Sequence, residues 1–190
     1  MANKILVRPL KVVNSPLHEI FLDACSLIPG DFMEFGIWKG LSFRSIYDAG
    51  IRYGRRIHAV DTFCGMPTSP FEADNQRYTP GMCDAGGTSG FIENFPMAII
   101  HEGIVPDILP DIDVEEIAFA HLDIDHEFST RPALEWVWPR LTNLGILIVH
   151  DFGLNVDKNA SKAVNDWMRN ENLNYIGITD NTIFFRKGVS

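Results

Sequence analysis

Short apolar runs alternate with longer amphipathic segments along most of this chain. The runs at 31–37, 56–61 and 97–102 have the length and the apolar content of buried strands. Segments 16–27 and 42–53 repeat apolar residues at the spacing of one helix face. Strands that alternate with helices in this way predict an α/β domain with a mostly parallel sheet.

Two further apolar runs, 117–125 and 144–151, both end in charged residues. We expect them to be neighbouring parallel strands joined by a helix over 131–141. Pro132 suits the first turn of that helix, where the missing N–H has no partner to lose. Pro139 ends or kinks the helix, because proline lacks the amide hydrogen that a helix interior needs.

The C-terminal part predicts a helix and a β-hairpin. The helix is expected over 160–169, and the strands are expected over 174–179 and 182–186. Asp180 and Asn181 stand between these strands, as in a tight antiparallel turn. The predicted sheet is therefore mostly parallel and is completed by one antiparallel hairpin.

Residues 64–90 interrupt the alternation, because they are rich in Gly, Pro, Thr and Asp and show no periodicity. Loops of this length inside a compact domain are usually functional lids or disordered segments. We favour a lid, since Phe71, Tyr78, Met82 and Phe91 supply apolar side chains that can cover a ligand. A disordered excursion is the alternative.

Length and charge restrict the class of protein. A chain of 190 residues suits one α/β domain, so we predict a single domain over residues 1–190. The net charge of −9 argues against nucleic acid as a partner, because a phosphate backbone attracts a basic face. No segment approaches the ~18 apolar residues of a membrane span, and the first residues do not resemble a signal peptide. The three cysteines lack the spacing of a metal site or of a disulfide framework, which favours a reduced, cytoplasmic setting.

Charged residues at the ends of the two long strands predict a cation site. Asp123 and Asp125 lie two residues apart and would share a face of an extended strand. His150 and Asp151 close the next strand, and the carboxyl ends of parallel strands meet at one edge of the sheet. The alternative is that the aspartates only cap the following helix. His121 lies deeper in the strand, as a buried core histidine or as a hydrogen-bond partner of Asp123.

The turn after the first strand favours a nucleoside ligand. Gly36 and Gly40 let a ligand approach the backbone. Trp38 and Ser42 disfavour NAD, because a dinucleotide fingerprint needs a further glycine and close helix packing here. Asp61 ends the second strand, where an acidic side chain can bind two ribose hydroxyls, although a role in a turn is the alternative. S-adenosylmethionine is the leading nucleoside cofactor without a pyrophosphate.

Several motifs occur in a fixed order from residue 31 to residue 153. They are Glu34-x-Gly36-x-Trp38-x-Gly40, Ala59-Val-Asp61-Thr-Phe63-x-Gly65-Met-Pro67, His101-Glu-Gly103, His121-Leu-Asp123-Ile-Asp125 with Ser129-Thr130, and Leu144-Gly-Ile-Leu-Ile-Val-His-Asp151-Phe-Gly153. Together they closely resemble the S-adenosylmethionine-dependent O-methyltransferases of the macrocin type, which methylate sugar or other hydroxyls of antibiotics. The resemblance implies the class I methyltransferase fold, a Rossmann-like, mostly parallel seven-stranded sheet with helices on both faces.

The resemblance also implies how the cofactor would be held. Glu34 and the two glycines of the first turn would border its methionine part, and Asp61 would bind the ribose. Thr62, Phe63 and Gly103 would lie near the adenine. The full predicted set of cofactor-binding residues is Glu34, Gly36, Trp38, Gly40, Ser42, Asp61, Thr62, Phe63, Gly103 and Asp123.

The family binds magnesium through one aspartate of the Asp-x-Asp pair and two adjacent aspartates after the next strand. Carried over, Asp123 and Asp151 are ligands, and Asp125 is either a ligand or the general base. His150 departs from the pattern, because it replaces the first of the two adjacent aspartates. Magnesium prefers oxygen, whereas imidazole suits manganese, iron or zinc. Three readings remain: Asp123, His150 and Asp151 hold magnesium or a softer metal; His150 is the base; or the metal has been lost.

We therefore expect an S-adenosylmethionine-dependent, metal-assisted O-methyltransferase that acts on a small molecule, such as a natural-product sugar or phenol. A metal lowers the pKa of a bound hydroxyl, and Asp125 or His150 would accept its proton. One alternative is a metal-independent methyltransferase that uses either residue as base. Another is a non-catalytic metabolite-binding module of the same fold. A homo-oligomer is compatible with the sequence but no residue supports it.

Overall fold

The computed structural model describes residues 16–71, 75–76, 78–153, 159–179 and 181–188. Its elements follow one another along the chain as α1 (Pro16–Cys25), β1 (Asp31–Phe35), α2 (Phe43–Tyr53), β2 (Ile57–Asp61), α3 (Ser89–Asn94), β3 (Ala98–Glu102), a short 3₁₀ helix (Leu109–Asp111), β4 (Ile117–Leu122), α4 (Glu127–Arg140), β5 (Leu141–Val149), α5 (Asn159–Glu171), β6 (Gly177–Thr179) and β7 (Thr182–Arg186). Strands and helices alternate as the apolar pattern predicts.

The strands form one seven-stranded sheet in the order β3-β2-β1-β4-β5-β7-β6. The pairs among β1 to β5 are parallel, whereas β7 runs antiparallel to both β5 and β6. The predicted mostly parallel sheet and its terminal antiparallel hairpin are therefore confirmed. Of the two predicted turn residues, Asn181 has a φ of 67°, and Asp180 lies outside the described residues. The strand order reverses between β1 and β4, which leaves a crevice beyond their carboxyl ends.

Helices cover both faces of the sheet. One apolar layer packs Phe32 and Phe119 of the sheet against α1, α2 and α3, and the opposite layer packs Phe35 and Leu147 against α4 and α5. All of β4 is buried, because this central strand carries a helical layer on each side. Among the described residues, no helix is both long and apolar enough to cross a bilayer.

Strand β4 ends earlier than the apolar run predicts. It stops at Leu122, so Asp123 and Asp125 belong to the turn that follows. The N–H of Asp123 still reaches the carbonyl of Phe35 at 2.8 Å, but Asp125 has a φ of 58° and turns the chain away from the sheet. An aspartate tolerates this left-handed conformation better than most residues do.

Helix α4 also begins earlier than predicted, at Glu127 instead of residue 131. Pro132 consequently lies inside the helix, and its expected place in the first turn is wrong. Proline lacks an N–H and its ring crowds the carbonyl four residues earlier, so α4 continues past Pro132 without one of its hydrogen bonds. Pro139 lies next to the last residue of α4, as expected.

Strand β5 is longer at its start and shorter at its end than predicted. It begins at Leu141 and contains an irregularity near Leu144, where φ is 68°. The polar residues at this irregularity hide the start of the strand from an apolar pattern. The strand ends at Val149, which leaves His150 and Asp151 beyond the sheet.

The described part of the 64–88 loop folds back on itself. Met66 donates its N–H to Met82 at 2.7 Å, and it accepts a hydrogen bond from Gly81 at 2.9 Å. Tyr78 is 2% exposed, and its ring centroid lies 5.7 Å from that of His126. The irregular segment was predicted to reach residue 90, but helix α3 already begins at Ser89. A role as a lid stays a prediction.

Candidate active site

Hydrogen bonds continue one residue past the ends of the central strands. Asp123 donates its N–H to the carbonyl of Phe35, and His150 donates its N–H to the carbonyl of Leu122, each at 2.8 Å. The parallel ladder is thereby extended across β1, β4 and β5. Asp123 and His150 consequently leave the sheet at adjacent positions of its carboxyl edge, where α/β sheets bind ligands.

Asp123, His150 and Asp151 form a compact group of two carboxylates and one imidazole. Nδ1 of His150 lies 3.1 Å from Oδ1 of Asp123 and 3.4 Å from Oδ1 of Asp151. One possible ligand atom from each residue lies within 4.8 Å of the others. Asp151 is buried, whereas the other two side chains remain partly exposed. The three residues predicted to hold a metal are thus brought together.

The charges in this group stabilise the protonated form of His150. Burial opposes that charge, but the carboxylates of Asp123 and Asp151 outweigh it and raise the pKa of His150 well above its usual value. Burial also opposes ionisation of Asp123. The charge and hydrogen bond of His150 nevertheless hold the pKa of Asp123 below its usual value. The group therefore carries one positive charge between two negative ones.

Asp125 is not part of this group. It is buried in a tight turn in which His126 donates its N–H to the carbonyl of Ile124 at 2.6 Å. The expectation that Asp123 and Asp125 share a strand face is wrong, because the strand ends before either residue. A catalytic role for Asp125 stays a prediction.

Glu34 and His121 form a buried pair on the face of the sheet that α1 and α2 cover. They lie side by side in the register of β1 and β4, and Oε1 of Glu34 lies 2.7 Å from Nδ1 of His121. Burial raises the pKa of Glu34, and the contacts with His121 and Ser42 offset part of that effect. The hydrogen-bond partner of His121 is therefore Glu34, while His121 acts on Asp123 only through its charge. The sequence pattern did not suggest Glu34 as the partner, because the two residues are 87 positions apart.

Gly36 and Gly40 are required by packing within the protein. Gly36 has a φ of 83°, and a Cβ there would fall on the carbonyl oxygen of Asp123. Gly40 has a φ of 74°, and a Cβ there would lie 2.7 Å from the ring of Phe95. These glycines therefore allow other parts of the protein, the backbone of Asp123 and the ring of Phe95, to pack against the turn. Contact with a cofactor stays a prediction for both.

Asp61 holds the turn between β1 and α2. Its Oδ2 accepts the N–H groups of Ile37 at 2.5 Å and of Trp38 at 2.9 Å, and its Oδ1 accepts the N–H of Phe63 at 2.7 Å. The turn role, which the sequence ranked below ribose binding, is thus the role that these contacts display. Oδ2 already accepts two hydrogen bonds, whereas Oδ1 accepts one short bond and a long one from the hydroxyl of Thr62 at 3.5 Å. Ribose binding therefore stays a prediction, with Oδ1 as the oxygen that has capacity for a further bond.

The other predicted cofactor residues surround Asp61 or the start of α2. Gly103 donates its N–H to the carbonyl of Asp61 at 3.0 Å, and Thr62 donates its hydroxyl to Gly65 at 2.6 Å. Ser42 precedes α2 and is buried, whereas Trp38 is 43% exposed. Phe63 is fully buried, and contact with an adenine stays a prediction for this residue.

A polar depression of about 380 Å³ lies at the opposite, amino-terminal edge of the sheet. Its lining consists of Gly30, Asp31, Arg56, Asp113, Glu115 and Glu116. None of these residues belongs to the predicted site, and four of them are acidic. The predicted metal-binding residues Asp123, His150 and Asp151 lie at the carboxyl edge. We therefore place the candidate active site at that edge and not in this depression.

Sequence comparison relates this chain to methyltransferases. The model of a family described as methyltransferase domain matches residues 33–152. The chain is 26% identical over 148 residues to 8-demethyl-8-(2,3-dimethoxy-alpha-L-rhamnosyl)-tetracenomycin-C 4'-O-methyltransferase of Streptomyces olivaceus. That alignment covers 70% of this chain and 57% of the relative, so the chain spans little more than half the length of the relative.

Solved structures show the same fold. The O-methyltransferase NovP superposes with a TM-score of 0.78 at 20% identity, over 89% of this chain and 77% of NovP. The calicheamicin methyltransferase CalS11 superposes with a TM-score of 0.74 at 20% identity, over 91% and 79% of the two chains. A methyltransferase of Podospora anserina, PaMTH1, solved with bound S-adenosylhomocysteine, gives a TM-score of 0.60 at 13% identity, over 91% and 78%.

Proposed function

The chain belongs to a methyltransferase domain family, and we propose that it transfers a methyl group from S-adenosylmethionine to a hydroxyl of a small molecule. The acceptor we propose is a sugar or phenol of a natural product, because the tetracenomycin relative is named as a sugar-directed O-methyltransferase. One observation carries the proposal. Asp123, His150 and Asp151 converge at the carboxyl edge, directly beside the turn that follows β1.

The residues after β1 and β2 suit the methyl donor. The turn after β1 is fixed by Asp61, whose carboxylate orients two of its N–H groups. Gly103 donates its N–H to the carbonyl of Asp61, so the carboxyl ends of β2 and β3 are joined. Together these ends would form one side of a nucleoside-binding site. Glu34 adds a buried carboxylate on the side of the methionine, which carries an ammonium group. These residues bind and orient the donor, and the donor supplies an electrophilic methyl group.

The cluster of Asp123, His150 and Asp151 fits a divalent cation in composition and in spacing. Two carboxylates and one imidazole match the preference of manganese, and magnesium also binds where carboxylates and water complete the shell. These three residues would hold the ion, which would make a neighbouring acceptor hydroxyl more acidic. The carboxylates of Asp123 and Asp151 lie 3.1 and 3.4 Å from one nitrogen of the His150 imidazole. The cluster can therefore accommodate a positive charge.

We assign the general base to Asp125. Without a metal ion, the two carboxylates stabilise the protonated form of His150 and raise its pKa. As a metal ligand, its nitrogen would be occupied, so in either state the imidazole is a poor acceptor for a further proton. Asp125 lies two residues after Asp123 and is not one of the three residues that would hold the cation. In the reaction, the acceptor oxygen forms a bond to the methyl carbon while the sulfonium–carbon bond breaks. The hydroxyl proton passes to the carboxylate, and positioning of the two reactants supplies much of the acceleration.

A metal-independent methyltransferase is the second candidate, and the ion pair favours it. A protonated His150 already neutralises part of the charge of Asp123 and Asp151, which is the electrostatic task of a metal ion. In that case the imidazolium would orient the acceptor oxygen by donating a hydrogen bond. The base would still be Asp125.

Calorimetric titration with S-adenosylhomocysteine tests the methyltransferase proposal. We expect binding at one site with a dissociation constant in the micromolar range. Asp48→Ala, which changes an exposed carboxylate of α2, serves as the control and is expected to bind equally well. Absence of binding by the wild-type protein at millimolar ligand would overturn the proposal, including the assignment of the base.

Asp151→Ala in the same titration separates the metal from the cofactor. If a divalent cation assists, the variant loses Mn²⁺ binding and metal-stimulated methyl transfer but keeps its affinity for S-adenosylhomocysteine within about threefold, because the carboxylate acts on the acceptor side. Full methyl transfer by the wild-type protein in excess chelator would favour the metal-independent candidate instead. Asp48→Ala is again the control, because it removes one exposed carboxylate and should leave Mn²⁺ binding and methyl transfer unchanged.

A further inference from the structure

One oxygen of Glu34 is bound to His121, and its other oxygen makes no hydrogen bond of good geometry among the described residues, although Ser42 lies near enough to the carboxylate to lower its pKa. Glu34 and His121 are at most 1% exposed, and Oε1 of Glu34 is 2.7 Å from Nδ1 of His121. Oε2 of Glu34 is buried without a hydrogen-bond partner among the described residues. A buried carboxylate oxygen in this situation lacks the partner that compensates its lost hydration.

The position of this oxygen points to a ligand. Glu34 is the last residue but one of β1, and the chain turns towards α2 at Gly36 just beyond it. Ligands of α/β sheets bind at this end of the strands. The proposed methyl donor carries one primary ammonium group, on its methionine part, and an ammonium group is a donor that a carboxylate oxygen binds strongly.

We infer that His121 is a positioning residue, which holds one oxygen of Glu34 and leaves the other for the α-ammonium group of the donor. The inference rests on the proposed function. His121 makes no contact of its own with the donor in this scheme. It acts through Glu34, because a hydrogen bond at Oε1 restricts rotation of the carboxylate and thereby fixes the position of Oε2.

The surroundings of His121 support a fixed orientation. Its ring makes edge contacts with His18 of α1 at a centroid distance of 5.8 Å and with His150 at 6.4 Å. The imidazole is therefore enclosed between the helix layer, Glu34 and the Asp123–His150–Asp151 cluster. His121 consequently joins the proposed donor side of the site to the proposed acceptor side.

Two ligands that differ by one group test this inference. They are S-adenosylhomocysteine and the analogue in which hydrogen replaces only its α-amino group. For the wild-type protein, we expect the analogue to bind about tenfold or more weakly, as for loss of one charge-assisted hydrogen bond. His121→Phe keeps a ring but removes the donor nitrogen, so the difference between the ligands should fall below about threefold. His121→Asn can keep a donor near the place of Nδ1, so it should retain most of the difference.

Glu34→Gln keeps the inference testable if His121→Phe does not fold. It should also abolish the difference between the two ligands, and adding His121→Phe to it should change that ratio no further, because no buried charge is left to position. Thermal melting of each variant reports whether it is folded. Equal weakening of both ligands by His121→Phe would show a merely structural role and would overturn the inference. Absence of any binding by the wild-type protein would instead overturn the proposed function.

Discussion

At the residue scale, left-handed backbone conformations mark the rim of the candidate site. Trp38, Phe63, Asp125 and Asp151 all have φ between 48° and 58°, and each follows the carboxyl end of a different parallel strand. Residues other than glycine adopt such angles at a cost of roughly 1–2 kcal/mol each. The strands β2, β1, β4 and β5 are neighbours in the sheet, so these tight turns lie side by side at its carboxyl edge. The rim of the candidate site thus consists of turns that contain residues with unfavourable backbone conformations.

Gly36 is the position where a side chain is least tolerable at this rim. We expect Gly36→Ala to lower the free energy of unfolding by about 3 kcal/mol or more, since it combines a left-handed conformation with a collision with the carbonyl of Asp123. Gly54→Ala is the control, because Gly54 has a φ of 63° but open space around it, and should lose only about 1 kcal/mol. Urea denaturation measures both. Similar losses for the two variants would contradict the close approach.

At the element scale, a cluster of aromatic rings holds α3 in place. The ring of Phe91 lies 5.3 Å from Phe43, 5.2 Å from Phe63 and 4.7 Å from Phe95, measured between centroids. A helix as short as α3 is not stable by itself, so this packing must supply its stability. Because α3 follows the 64–88 loop, the cluster also fixes the C-terminal end of that loop beside Phe63 and the candidate site.

We expect Phe91→Ala to lower the free energy of unfolding by about 3 kcal/mol, because it removes a buried ring and leaves a cavity. Ile92→Ala changes the next residue of the same helix, which is half exposed, and should lower it by less than about 0.5 kcal/mol. Chemical denaturation gives both values. Limited proteolysis should also show faster cleavage near the loop in the first variant alone, and equal cleavage of both would count against the anchoring role.

At the scale of the whole molecule, one buried and one partly buried histidine that remain neutral make the fold sensitive to acid. Burial, with a contribution from His121, lowers the pKa of His18 to about 3. Burial, with contributions from His58 and Arg56, lowers the pKa of His101 to about 4. Unfolded histidine protonates near 6.5, so between 6.5 and 4 the unfolded chain binds protons that the folded chain does not. Stability is therefore retained above pH 6.5 and falls as the pH decreases below it.

His18→Phe should reduce this pH dependence. We expect the wild-type protein to lose about 1 kcal/mol more than the variant between pH 6.5 and 5.5, because one fewer proton is taken up on unfolding. Glu34 has a raised pKa and acts in the opposite direction, so the difference between the two proteins is the relevant measurement. Phe119→Leu changes a ring that packs against His18 and should leave the slope unaltered. Denaturation curves at several pH values that gave equal slopes for wild type and His18→Phe would contradict this account.

Local sequence pattern determined the strand cores, the α/β fold and the edge of the sheet where we place the candidate site. Burial on both faces forces a continuous apolar run such as that of β4, and this requirement does not depend on which strand lies beside it. The pattern predicted the first and last residues of β4 and β5 less accurately than their cores. The apolar pattern continues to Ile124, but β4 ends at Leu122 and its ladder extends only to the N–H of Asp123, because the turn begins there. A polar irregularity near Leu144 likewise concealed the first residues of β5.

Only the tertiary structure decided which polar groups meet. The pairing of Glu34 with His121 joins residues 87 positions apart, and Asp61 accepts hydrogen bonds from a turn that precedes it by more than 20 residues. Asp125, two residues from Asp123, is nevertheless outside the cluster that His150 and Asp151 complete. Such contacts depend on the register between parallel strands and on the left-handed turns at their ends. Neither feature is contained in a local pattern of apolar and polar residues, because both are set by packing of the sheet as a whole.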